Sequence, residues 1–487
     1  MRRYAGAVTP SDSVIEATAR IRPTLLPAVA PLADLIAAFA EDGHELALVG
    51  GCVRDAALGR VGNDLDLTTD ARPDRIRHLV APFADSLWET GIRFGTVGLQ
   101  LGQWQLEVTT YRADSYDPES RKPVVAFGED LTEDLVRRDF TVNCMALSLT
   151  TGALVDPFGG MADLVAGVLR TPGTPERSFG DDPLRMLRAA RFVSQLGMTI
   201  APEVLAAMTD MASRLEIVSE ERIRDELVKL VMGEDPVAGL RVLVDTGLAD
   251  MVLPELPALS LEIDEHHHHK DVYEHTLRVL EQSIALETTH APASGPDFTL
   301  RFAALMHDIG KPRTRRFTSG GGVSFHHHEV VGAKMTRKRM RALRFSNDDI
   351  DAVAGLVELH LRFHGYGGGE WTDSAVRRYV RDAGPLLPRL HKLTRADCTT
   401  RNRRKAEALQ RSYDNLERRI ERLEREEELA SLRPELDGEQ IMSVLGIEPG
   451  PDVGRAYRFL MDLRLDSGLL GQDKAEQELL NWWESQR

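Results

Sequence analysis

Cysteine is scarce in this 487-residue chain, and Cys52, Cys144 and Cys398 lie far apart with no CxxC spacing. That excludes a disulfide framework and a zinc knuckle, and leaves small buried side chains as the reading. Uninterrupted apolar runs of bilayer-spanning or signal-peptide length are lacking too, which predicts a cytoplasmic protein with no membrane partner. No repeat of solenoid length is present. An excess of positive charge is also missing. The formal net charge is −16, which argues against a generic nucleic-acid coat, since polyanion binding relies on Lys and Arg. The basic residues are nevertheless concentrated in 185–192, 334–345 and 400–405, so a basic track on an acidic body remains compatible with the sequence.

The length implies about three or four units. Residues 1–25 mix Arg, Ser, Thr and Pro and read as a mobile arm. Residues 26–165 form a head with strand patterns at ELALVGG, NDLDLTT, TVGLQLGQWQLEVTTYR and CMALSLTTGALVD, and a hairpin turn at Gly102-Gln103. From about Leu164 the period is helical, giving a neck over 166–255, a histidine-rich unit over 256–400 and a tail over 401–487. The fold class is therefore α+β and multidomain, with strands near the start and helices after them. Within the tail, RRKAEALQRSYDNLERRIERLEREEEL alternates in charge and predicts one long exposed helix.

In NDLDLTT the strand period places Asp64 and Asp66 on one face and Leu65 in the core. Two carboxylates on one edge repel unless a cation lies between them, which suits a Mg²⁺ pair. A lone DxD is more often a polar strand face. Upstream, Gly50-Gly51 ends a strand and lets the backbone approach a phosphate, a helix starts near Val53, and Arg54 adds a charge-assisted donor. Glu107 in QLEVTTYR points opposite to Leu106 and Val108 and is the candidate third carboxylate.

GGCVRDAALGRVGNDLDLTT, EVTTYR, RRDFTVNCMAL, DPFGGMADL and DDPLRMLRAARF, in this order, resemble the class II tRNA nucleotidyltransferases, the CCA-adding enzymes, and their relatives the bacterial poly(A) polymerases. The resemblance covers roughly 46–255. It implies a polymerase β-like nucleotidyltransferase head, two-metal transfer onto a 3′-OH, and tRNA, CTP and ATP as partners. It also implies that Asp182 and Arg185 read the base, that Arg188 and Arg191 lie near the triphosphate, and that Arg138 contacts nucleotide. Asp139 and Asn143 then brace the head, and DPFGG links head and neck flexibly. The residue before Asp182 is usually Glu in that family and is Asp181 here. The chemistry of such a pair is plain: a carboxylate and a guanidinium side by side accept from cytosine N4 or adenine N6 and donate to the adjacent ring nitrogen, whereas guanine and uracil present carbonyls there. The ordinary alternative is a surface i, i+3 salt bridge.

DVYEHTL (His275), LMHDIGKP (His307, Asp308), FHHHEVVGA (His328), ELHLRFH (His360) and RADCTT (Asp397) together resemble an HD domain. Imidazole plus carboxylate suits Mn²⁺, Ni²⁺, Fe²⁺ or, less readily, Mg²⁺. His327 against His328, and His360 against His364, stand as alternatives. The quartet His266 to His269 reads as peripheral. An intact ligand set implies hydrolysis of phosphoesters such as 2′,3′-cyclic phosphate or 2′-phosphate ends on tRNA. The tail, with GIEPGPDVG, resembles a tRNA-gripping module, and the Gly450-Pro451 turn offers amides to a phosphate or simply caps a helix.

The resulting expectation is a CCA-adding enzyme. Its rivals are a poly(A) polymerase, a CC-only or A-only enzyme, an HD phosphohydrolase whose head only binds RNA, and a small-molecule nucleotidyltransferase. The sequence carries no signal for oligomeric state.

Overall fold

The computed structural model describes residues 10–112, 127–260, 271–317, 323–365, 371–399, 402–427 and 433–486. They divide into two compact units, Met1–Val252 and Leu253–Arg487. The readings made for residues 1–9 and for the His266 to His269 quartet, and for the side chain of His364, fall outside the described residues.

The first unit is built on a seven-stranded sheet. Its strands are β1 Ala47–Val49, β2 Asp64–Thr69, β3 Ser86–Trp88, β4 Thr96–Leu101, β5 Trp104–Thr110, β6 Ala146–Ser148 and β7 Leu154–Val155, in the order β3-β4-β5-β2-β1-β6-β7. Only the β2–β5 pair is parallel; the other pairings are antiparallel. The Gly102-Gln103 turn joins β4 to β5 with Leu101 opposite Trp104, and Gly102 takes φ +58°, as a two-residue hairpin loop demands. Leu65, Leu67, Val97, Leu99, Leu106 and Val108 fill the core side, so the alternate residues line the opposite face.

Residues 10–25 are not a loose arm. Helix Pro10–Val29 continues through a 3₁₀ turn at Ala30–Leu32 into helix Ala33–Glu41. Ile21, Leu25, Ala28, Leu32, Leu35 and Phe39 recur at intervals of three and four and are all buried, the first helix packing on helices Gly51–Ala57 and Gly160–Ala166. Pro23, Pro27 and Pro31 mask this stripe in the sequence. By length and composition the stretch Asp12–Glu41 is long and apolar enough to cross a membrane, contrary to the expectation of no such run. Here those six side chains belong to the core of the head.

DPFGG is not a free link either. Asp156 accepts from the amides of Gly160 (2.7 Å) and Met161 (2.9 Å), and a Cβ on Gly160 would overlap the Thr141 carbonyl. Both carboxylate oxygens and a close backbone approach fix the turn. Beyond it, helix Leu184–Leu196 is sheathed by helices Glu220–Val231 and Pro236–Asp245 and ends at Gly197 with φ +65°. Gly239 lets the last of these approach closely, since a Cβ there would stand 2.7 Å from the Ala190 carbonyl.

Among its described residues, the second unit is helical apart from a small hairpin, Arg316–Phe317 with Val323–Ser324. Side-chain caps at Asp271, Asp297, Ser346 and Thr372 start four of its helices. The charge-alternating run forms helix Arg403–Glu427, but it is not simply exposed. Tyr413, Leu416, Ile420 and Leu423 make a buried stripe at intervals of three and four. Helices Gly438–Leu445, Pro451–Ser467 and Gln472–Ser485 close the chain around Leu436, Ile441, Leu445, Ala456, Leu460 and Leu479.

Candidate active site and metal centre

The parallel pairing of β2 with β5 sets Asp64 opposite Gln105 and Asp66 opposite Glu107. All four side chains lie on the face away from the core, so three carboxylates converge on two adjacent strands. Burial raises the carboxyl of Asp66 above its ordinary range, and Asp64 adds to the rise while Arg138 and Arg188 oppose it. Burial, followed by Asp66 and Asp64, raises Glu107 as well. Two carboxyls raised by burial beside a third carboxylate on the same face are the electrostatic signature of a cation site, and hard oxygen donors suit Mg²⁺.

On the flank of β2 away from β5, β1 ends in Gly50, which takes φ +76° and caps helix Gly51–Ala57. A Cβ there would stand 3.1 Å from a guanidinium nitrogen of Arg138, so the glycine makes room for this arginine. Arg138 is held by Asp134 at 3.1 Å, and Asp134 also receives Arg137 at 2.7 Å. Asp134 is fully buried and was missed by the sequence reading. Its signal was the i, i+3 and i, i+4 spacing to two adjacent arginines, disguised by the following RRDFTVN motif.

Arg54 is turned inward. It is 9% exposed and donates to Asn143 at 2.7 Å and to Asp55. Asn143 in turn donates to Asp139 (2.9 Å), whose other oxygen receives Arg188 Nε at 2.8 Å. Burial works against the charge on Asp139, but Arg188 and Asn143 hold its carboxyl well below the usual range. Asp139 and Asn143 thus do join the strands' end to the neck helix. Arg54, Arg188 and Arg191 surround the Phe192 ring at 5.3, 5.9 and 4.5 Å, and Arg191 pairs with Glu226 at 3.1 Å. These arginines are therefore pre-positioned by internal partners around one aromatic hub.

Asp182 and Arg185 do not pair with each other here. Asp182 accepts from Arg222 at 2.7 Å and Arg185 donates to Ser178 Oγ at 2.8 Å and to the Arg137 carbonyl. Arg222 is a second residue beyond sequence reach, forty positions away on another helix.

In the second unit the ligand candidates sit at helix ends. His275 lies in the first turn of helix Val272–Thr289, His307 and Asp308 follow helix Phe298–Met306, and His328 opens helix His328–Ala342. His360 and Asp397 follow helices Asn347–Leu359 and Leu387–Ala396. They form two triads, His275 with His307 and Asp397, and Asp308 with His328 and His360, each with its ligand atoms within 4.8 Å of one another. Asp308 faces both ways. Its Oδ2 lies 3.2 Å from His307 Nε2 and its Oδ1 3.2 Å from His328 Nε2. His307, His328 and His360 each place Nδ1 at 2.6 to 2.8 Å from the carbonyl three residues earlier, which leaves Nε2 as the inward acceptor. Burial, with His307 next to it, brings His360 down to about 3, so it is a neutral imidazole whose buried Nε2 has no partner among the described residues. This donor set fits divalent transition metals. His327, with φ +62°, turns outward to Glu329 instead, which selects His328 of the two. Lys311 reaches Asp308 at 2.8 Å and was missed despite its place in HDIGK. Gly310 allows the tight approach of two segments, because a Cβ there would overlap the His328 carbonyl.

Residues 46–170 match the family described as the poly A polymerase head domain, 197–259 that described as the probable RNA and SrmB-binding site of polymerase A, and 272–402 the HD domain. The A-adding tRNA nucleotidyltransferase of Deinococcus radiodurans is 35% identical over 432 residues, 86% of this chain and 91% of that protein. The CCA-adding enzyme of Levilactobacillus brevis is 45% identical over 207 residues, 42% of this chain and about half (51%) of that protein. Among solved structures, the Bacillus stearothermophilus CCA-adding enzyme in complex with CTP superposes with TM-score 0.66 at 24% identity, covering 94% of this chain and 98% of that one. The Thermotoga maritima CCA-adding enzyme complexed with tRNA superposes at 0.59 and 19% identity, covering 97% and 98%. At these identities the superpositions establish a shared fold.

Proposed function

The chain belongs to the tRNA nucleotidyltransferase and poly(A) polymerase family, with an HD domain behind its RNA-binding region, and from that premise we propose that it adds CMP and AMP from CTP and ATP to the 3′ end of tRNA without a template. The observation that carries the reading is the carboxylate row of Asp64, Asp66 and Glu107, with Arg138 and Arg188 acting on Asp66 from the opposite flank. Asp64, Asp66 and Glu107 would hold Mg²⁺, which would supply charge against the triphosphate and lower the pKa of the attacking hydroxyl. Gly51 and Arg138 line the triphosphate side, while Arg54, Arg188 and Arg191 supply a positive field through their fixed positions around Phe192. Asp182 and Arg185 select the base once nucleotide draws them from Arg222 and Ser178. The location that goes with this reading is the cytoplasm, where tRNA and nucleoside triphosphates are available.

The test is to incubate the protein with tRNA ending at the discriminator base and each nucleotide separately, then read product length. CTP alone is expected to add two residues, ATP alone none, and the two together three. A second reading, A-only addition, is favoured by the name of the relative matched over nearly its whole length; extension of tRNA ending in CC by ATP, with CTP unused, establishes that reading instead. Failure to extend any tRNA overturns both.

For the HD unit the reading is phosphoester hydrolysis at tRNA ends. His275, His307, Asp308, His328, His360 and Asp397 would hold Mn²⁺, Ni²⁺ or Mg²⁺, which would supply the activated water for hydrolysis. Asp308, with one oxygen toward each triad, supports two ions rather than one. Metal analysis of the Asp66→Ala chain, whose head site is disabled, reads this directly: two ions per chain, falling to one when His328→Ala is added, while a single ion before that addition overturns it.

A further inference from the structure

Asp66, Glu107, Gly98 and Trp88 are successive register partners across β2, β5, β4 and β3. Partners in register share a face, so these four residues form one row across the open side of the sheet. At about 4.8 Å per strand the row runs ~14 Å from the metal-site carboxylate to the edge. Gly98 is buried although it stands on the open face. The reason is Trp88: a Cβ on Gly98 would overlap Nε1, Cε2 and Cδ1 of the indole. The ring therefore lies down over β4 and points inward along the row, toward Glu107. Trp104, the other tryptophan of these strands, faces the core, and Trp88 is the one aromatic side chain that β2 to β5 set on the open face.

We propose that Trp88 is a stacking platform for the 3′-terminal base of the RNA acceptor, an inference that rests on the transfer reading above. The sheet order supplies the direction. Gly50, Gly51 and Arg138 lie on the β1 flank of β2, so the triphosphate and its leaving pyrophosphate occupy that side. Nucleotidyl transfer requires attacking and leaving oxygens roughly in line. The acceptor hydroxyl must then approach from the β5 flank, and its base falls over Gly98 and Trp88. The chemistry of the acceptor supplies the residue type. Its terminal base is a discriminator of any kind at first, then C, then C again. A hydrogen-bonding subsite fitted to one of these would reject the others, whereas every base has a π-face to stack on an indole. Glycine at 98 is what lets the platform lie flat beside the carboxylates.

The experiment measures steady-state transfer with tRNA for the parent chain, Trp88→Ala, Trp88→Phe and Gly98→Ala, with thermal unfolding as the fold control. Trp88→Ala is expected to raise KM for tRNA about tenfold, the size of one lost base stack, with KM for the nucleotide unchanged. Trp88→Phe restores most of the loss, and Gly98→Ala, which lifts the ring, reproduces part of it. A tRNA whose terminal residue is abasic is penalised in the parent chain but not further in Trp88→Ala, because both remove the same contact. Equal rises in KM for tRNA and nucleotide, an unchanged KM for tRNA, or additive penalties overturn the proposal. If the parent chain extends tRNA normally while any of these results appears, the stacking inference alone has failed. If the parent chain extends no tRNA, the transfer reading has failed and this inference with it.

Discussion

Arg188, on the neck helix, donates from Nε to Asp139 Oδ2 at 2.8 Å, while Asn143 and the Phe140 amide hold Oδ1 at 2.9 and 2.8 Å. A single carboxylate thereby ties helix Leu184–Leu196 to the end of the sheet. Arg188→Ala leaves Asp139 buried without its counter-charge. The expected loss is about 2 kcal/mol of stability, below the ~3–5 kcal/mol of a fully buried pair because Arg188 is a third exposed. Denaturant unfolding of the variant measures it, and an unchanged midpoint contradicts the bracing role.

Asp66 is the carboxylate closest to the combined influence of Asp64, Arg138 and Arg188. Asp66→Ala is expected to lower nucleotidyl transfer by at least ~10³-fold, the several kcal/mol that metal-centred charge contributes, and to leave hydrolysis by the HD unit intact. Product-length assays and phosphate release on the same preparation check both halves. Transfer retained within tenfold removes Asp66 from the metal site.

Asp182 is held by Arg222 and not by Arg185. Asp182→Ala is expected to narrow the preference for CTP and ATP over UTP and GTP by ~10–100-fold, since a charge-assisted bond worth ~1.5–3 kcal/mol is lost for the correct bases alone. Arg222→Ala releases the same carboxylate and lowers KM for nucleotide. The four nucleotides compared at equal concentration provide the measurement, and an unchanged ratio assigns Asp182 to structure only.

In the second unit His290, His391 and Arg395 gather on Glu417. Burial would raise this carboxyl, but the bonds from His290 and Arg395 bring it down to about 2 from an ordinary 4.5. Burial also brings His391 down to about 4 from 6.5. The sign is the same for both groups, because the unfolded chain takes up protons before the folded one does. Stability linked to His391 falls as pH drops from about 6.5 to 4, and that linked to Glu417 is present above about 4.5 and falls as pH approaches 2. Glu417→Gln is expected to flatten the acid limb, read as the difference between the two unfolding free energies across pH. Parallel curves contradict it.

Period-two alternation was legible in the sequence: it put Asp64 and Asp66 on one face and Glu107 opposite Leu106 and Val108, while the parallel register that brings the three together was not. The histidine series was legible because each of its members is a ligand type at a motif position. The helix Pro10–Val29 was not, because its prolines suggested breaks where the buried stripe of Ile21 and Leu25 tolerates them. Helix Arg403–Glu427 read as exposed because charges outnumber its four buried residues. The partners of the arginines were out of reach for a different reason. Glu226 and Arg222 act from another helix, at separations that no local spacing encodes, and it is Ser178, Asp139 and Glu226 that orient Arg185, Arg188 and Arg191 in turn.

The Nδ1 contacts of His307, His328 and His360 with carbonyls three residues back set ring orientation by the helix ends alone. The arrangement of these three rings is thus set by backbone geometry. Affinity for such a nitrogen and oxygen cage follows the intrinsic ranking of the metals. If the proposed hydrolysis at this centre is correct, the cell's supply of nickel, manganese and magnesium would be an input to it, and a change of growth medium would tune it without any change in the chain.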